Sequence, residues 1–201
     1  MNSEHTALLA KIRSLEEELE QSVNARRSAL RMRIHNGKVA FEQAIEQRQR
    51  ELKVHVLHYV IGARPLILLT APFIYAVIVP FALLDLFVTL YQAVCFPVYG
   101  IEKVKRSDYL IFDRTQLRYL NVLEKFNCAY CSYANGLIAY VREIAGRTEQ
   151  YWCPIKHAKR LRAPHEHYRK FFEFGDAEAY RSELDSLRGE LRTPKSQKPL
   201  D

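Results

Sequence analysis

Apolar positions recur at helical spacing along the first sixty residues. Leu8, Ile12, Leu15 and Leu19 alternate steps of four and three, and Leu30 and Ile34 resume the pattern after a skip at Val23–Arg27. Such spacing collects apolar side chains on one side of a helix over residues 6–34 and predicts a coiled-coil seam with one stutter. Asn36-Gly37 favours a turn or a helix end. Residues 6–57 therefore read as one long helix or a helical hairpin.

The pattern then changes. Residues 65–84, PLILLTAPFIYAVIVPFALL, are twenty positions without a charge, and LFVTLYQAVCFPVYGI continues the run to residue 101. At ~1.5 Å per residue the first stretch alone reaches ~30 Å, the thickness of a bilayer core. Pro72, Pro80 and Pro97 lie inside it, and membrane helices tolerate proline better than soluble ones. Two arrangements fit. Either residues 65–84 span once with 86–101 in the interface, or the run folds into a transmembrane hairpin with its bend at Asp85, the one charge in the run. Basic flanks on both sides (Arg48, Arg50, Lys53, Arg64, then Lys103, Lys105, Arg106, Arg114) favour the hairpin and place both termini in the cytoplasm. At a hairpin tip Asp85 simply meets water or headgroups.

Beyond residue 106, Asp113 and Gln116 have capping-box spacing. Leu137, Val141, Ile144 and Thr148 share one face of a helix over 134–150, interrupted by Gly136 or Gly146. Asp176 can cap a last helix whose Tyr180, Leu184, Leu187 and Leu191 repeat at four-three-four, a seam suited to the N-terminal one. The fold expected is mainly α and membrane-anchored. An amphipathic coiled-coil-like helical arm occupies 1–64, the apolar span or hairpin 65–101, a small helical module 102–192, and a disordered polar tail 193–201.

Charge bounds the partners. The net charge of +7 suits an anionic surface, and with an apolar run in the chain that surface is the membrane, met by Lys103, Lys105 and Arg106. The basic, aromatic stretch 156–172 resembles a nucleic-acid surface, but attraction to anionic lipid explains it more simply. The helical arm offers a site for self-association or a protein partner. No secretory leader is expected at the start of the chain, so the four cysteines read as reduced thiols. With seven glycines there is no phosphate-cradling loop, and no hydrolase elbow or metalloprotease motif appears; the residues name no reaction.

Three of the cysteines lie in NCAYCSYANGLIAYVREIAGRTEQYWCPIKH. Cys128 and Cys131 have the C-x-x-C spacing that aims two thiolates at one ion from a tight turn. Cys153 and His157 complete a tetrahedral set, as structural zinc prefers, with His165 and His167 as alternative ligands. The ion would stabilise a small module that works as a scaffold or partner-binding element at the cytoplasmic membrane face. An iron–sulfur cluster on the same thiols, or a dithiol in which a following helix lowers a thiol pKa, are the redox alternatives. The set requires the helix between its halves to be short.

Overall fold

The computed structural model describes residues 3–29, 32–35, 38–41, 43–62 and 64–192. The tail expected over 193–201 lies outside them. The chain divides into two units, residues 1–62 with 113–126, and residues 63–112 with 127–201.

The first unit opens with α1 (Ser3–Ala29), followed by β1 (Met32–His35), β2 (Lys38–Phe41), α2 (Gln43–Glu51) and α3 (Val56–Ile61). β1 and β2 are antiparallel, pairing Met32 with Phe41, Ile34 with Val39 and His35 with Lys38. The expected helix over 6–57 is thus interrupted by a β-hairpin, and Ile34 belongs to a strand. The physical reason lies in the sequence. Asn-Gly between alternating apolar residues is a two-residue hairpin signal, and Met32, Ile34, Val39 and Phe41 alternate. A 3-10 turn, Asp113–Gln116, stands where the capping box was expected. The box instead forms eight residues later. Asn121 Oδ1 accepts from the Glu124 N–H at 3.0 Å, and Glu124 Oε2 accepts from the Asn121 N–H at 2.9 Å. This reciprocal pair satisfies two donors at the start of α6 (Val122–Trp152).

The second unit contains α4 (Pro65–Ala76), α5 (Ile78–Tyr99), most of α6, and α7 (Ala177–Gly189). α4 and α5 are nearly one helix, because Val77 between them keeps helical torsions of φ −63° and ψ −16°. The break has a cause in Pro80, which has no N–H for the Ala76 carbonyl. The chain does not bend at Asp85, which lies inside α5. The hairpin expected with its bend at Asp85 is therefore not formed. α5 ends at Gly100, whose φ of +70° is left-handed. The Ile101 N–H then reaches back to the Phe96 carbonyl at 2.9 Å, closing a Schellman turn.

After that turn the chain runs back along α5 before α6 begins. α5 and α6 are consequently parallel. Tyr75 meets Asn127, Asp85 meets Tyr133 and Gln92 meets Tyr140, at sequence separations of 52, 48 and 48. Phe96, Ile101, Val104, Leu137, Tyr140, Ile144 and Leu191 form the core. Asp176 caps α7 as its position suggests, accepting from the Ala179 N–H at 3.0 Å. In the α7 seam Leu187 is buried and Leu191 joins the core of this unit. Between α6 and α7, Ile155 pairs with Phe172 in an isolated parallel bridge.

Candidate functional site

Pro65–Tyr99 make one apolar helical run of 35 residues, long enough to cross a membrane. Its surface is sorted by polarity in an unusual sense. Ile78, Phe81, Asp85, Val88, Gln92, Phe96 and Tyr99 step by three and four, share one face of α5 and turn inward. Leu83, Leu86, Leu90, Val94 and Val98 occupy the opposite face and are exposed, from 51% at Leu83 to 78% at Val98. On α4, the consecutive residues Leu66, Ile67, Leu68 and Leu69 are all exposed. They point in several directions, so α4 has no covered side of any width. A water-soluble helix does the reverse, facing polar groups outward.

The polar groups of the inner face are matched one by one. Asp85, 8% exposed, is paired with the Arg106 guanidinium. It also accepts from Tyr133 Oη at 2.9 Å and Thr89 Oγ1 at 3.3 Å. Gln92 Oε1 accepts from the Val104 N–H at 2.6 Å, while Gln92 Nε2 donates to Tyr140 Oη at 2.8 Å. These bonds fasten the returning segment into the groove between α5 and α6. Asp85 therefore does not meet solvent at a tip, and Arg106, expected at the headgroups, pairs with Asp85 while its side chain stays 44% exposed. Lys103 and Lys105 are exposed on either side of buried Val104.

The four expected metal ligands are not brought together. α6 is continuous from Val122 to Trp152 over 31 residues. Cys128 and Cys131 lie one turn apart within it, and Cys153 follows its last residue. At ~1.5 Å per residue the two ends of the set are ~37 Å apart along the axis. His157 is exposed and stacks on Tyr168. Among the described residues no group of three or more His, Cys, Asp or Glu side chains is placed to hold a metal ion. The dithiol expectation meets a related difficulty. The helix starts six residues before Cys128, so the thiols face no free helix N-terminus.

The glycines explain why α6 does not break. A Cβ on Gly136 would stand 2.5 Å from the Tyr109 carbonyl oxygen, and one on Gly146 would stand 2.9 Å from His165 Nδ1. Both serve close packing. Against Gly146 lies a polar cluster that sequence reading distributed among possible ligands. His167, 3% exposed, sets Nδ1 2.7 Å from Gln150 Oε1 and Nε2 3.1 Å from Glu143 Oε1. Gln150 is held in that orientation by donating to the Leu187 carbonyl at 2.8 Å. Arg147 joins Glu143 at 2.8 Å and the Glu102 carbonyl at 2.6 Å. His165 Nε2 is 2.8 Å from Glu149 Oε2. Burial alone would raise the Glu143 carboxyl, but hydrogen bonds from His167 and Arg147 outweigh it and bring it down to about 2. Nearby Tyr109 is pushed up to about 12, by burial first and the Glu143 charge second. The cluster ties α6 to Glu102, to the His165–His167 segment and to α7. Its hydrogen bonds are made within the protein, except at His165 Nδ1, which is buried without a hydrogen-bond partner among the described residues.

No family model, no curated protein and no solved structure matches the chain.

Proposed function

We propose that this chain is a membrane-anchored scaffold, with α4 and α5 in contact with acyl chains and the α6–α7 module held at the membrane. One observation carries this reading, the inverted polarity of α5. Asp85 and Gln92 are buried at 8% and 6% exposure, whereas the outer apolar stripe from Leu83 to Val98 is uncovered. At ~25 cal/mol per Å2, a stripe of five large aliphatic side chains left in water forgoes several kcal/mol of transfer free energy. A lipid environment recovers it. Intramembrane polar groups, for their part, are expected to face protein and to find partners there, as Asp85 and Gln92 do.

The test is flotation of the full chain with phospholipid vesicles after an alkaline carbonate wash, comparing the natural sequence with Leu86→Arg/Leu90→Arg. The natural chain should float with the vesicles and the double variant should be largely extracted, since each central arginine opposes insertion by ~2.5–3.5 kcal/mol. A natural chain that stays monodisperse in detergent-free buffer and does not float would overturn the reading.

A further inference from the structure

α1 presents a surface that nothing else in the described chain explains. It runs for 27 residues, and every side chain described on it is exposed. Leu8, Ile12, Leu15 and Leu19 are 40–65% exposed. A lone helix of this length with no packed face is marginal in water, because most helical stability in proteins comes from burying one.

The spacing identifies what covers it. With Ile12 and Leu19 as a positions of a heptad, Leu8 and Leu15 fall at d. A β-branched residue at a between leucines at d is the preference of a two-stranded parallel coil. Lys11 then falls at g and Glu16 at the following e. In a parallel, in-register pair the g position of one strand faces the following e position of the other. Lys11 of each copy therefore meets Glu16 of its mate, and the symmetry makes the pair twice. The outer f position holds Glu17, which such a pairing leaves in solvent. Ser22 and Arg26 occupy the next d and a positions and end the apolar seam. The result is a short coil of about two heptads, weak in dilute solution and strengthened wherever the chains are confined together.

We infer that α1 is one strand of a parallel two-stranded coiled coil with a second copy of this chain, in register, closed at its flanks by reciprocal Lys11–Glu16 pairs. The inference goes beyond membrane attachment and does not depend on it.

The experiment uses the full chain in detergent micelles with its four native cysteines replaced by serine. A single cysteine is then introduced as Leu8→Cys, and mild oxidation is followed on a non-reducing gel. A parallel pair sets position 8 against position 8, so a disulfide-linked dimer is expected as the main product. Glu17→Cys, on the outer face, should cross-link several-fold less. Lys11→Glu should weaken self-association about fivefold, and adding Glu16→Lys should restore it. Helix content by circular dichroism checks that the module survives each change. If Leu8→Cys links only when mixed with Leu19→Cys, and Glu18→Lys rather than Glu16→Lys rescues Lys11→Glu, the strands are antiparallel and the inference falls. It falls equally if Leu8→Cys and Glu17→Cys link alike, or if the full chain is monomeric at every detergent ratio. Vesicle flotation of the same variants reads membrane attachment separately, so the two proposals fail by different measurements.

Discussion

Gly136 and Tyr109 touch backbone to backbone. A methyl group on Gly136 would stand 2.5 Å from the Tyr109 carbonyl oxygen and 3.1 Å from the Leu110 Cα. Neither neighbour is a flexible side chain that can swing away. Gly136→Ala must therefore part the returning segment from α6, even though alanine is the better helix former by ~1 kcal/mol. A net loss of ~1–3 kcal/mol is expected from overpacking, read by denaturant unfolding in detergent. Gly189, at the end of α7, has nothing within 4 Å of its built Cβ. Gly189→Ala should be neutral or slightly stabilising in the same assay. Equal effects at the two glycines would remove the steric argument.

The Asp85–Arg106 pair gives a double-mutant test. Asp85 is buried in the apolar helix, and its principal partner comes from the returning segment. Arg106→Met leaves a carboxylate with only Tyr133 and Thr89 as donors, so it should cost ~2 kcal/mol or more. Asp85→Leu/Arg106→Met removes both charges and should recover most of that loss. Additive single effects would mean that the two side chains do not act as a pair.

Acid unfolding reports on Glu143. Its folded-state pKa of about 2 lies below the ordinary 4.5. A depressed carboxyl contributes stability that is fully present above the unfolded value and is lost as pH falls through the folded one. The natural chain should therefore weaken steadily from about pH 4.5 down to about pH 2. Glu143→Gln should be less stable at neutral pH and flatter across that window. Urea titrations at closely spaced pH values would show it, and parallel curves for the two proteins would contradict it.

The reach of the sequence differed from residue to residue, for physical reasons. The apolar run announced α4 and α5 because twenty uncharged positions have few alternatives, and Asp176 announced α7 because a cap is a local device. The bend proposed at Asp85 failed because a charge in an apolar run has two remedies, solvent or a partner. Its partner Arg106 lies 21 residues away, beyond any local pattern. Two signals in the sequence carry more than the expectations took from them. Asn36-Gly37 between alternating apolar residues spelled a β-hairpin, and Asn121-x-x-Glu124 spelled the start of α6. Reading that start would have placed Cys128 inside a helix and separated it from Cys153. Gly136 and Gly146 misled most, since a glycine that ends a helix and one that admits a neighbouring backbone are identical in one dimension.

The parallel course of α5 and α6 has a consequence for the order of events during synthesis. A helix joined by a short turn to an antiparallel neighbour can dock as soon as both have emerged. α5 cannot, because its inner face is completed by residues that come much later. Arg106 follows Asp85 by 21 positions and Tyr133 by 48. At ~5–20 residues per second, the apolar helix exists for seconds with its carboxylate uncovered. Until Arg106 emerges the nascent chain carries both an apolar exterior and an unpaired charge, so the closing of its core waits for residues made well after α5 itself.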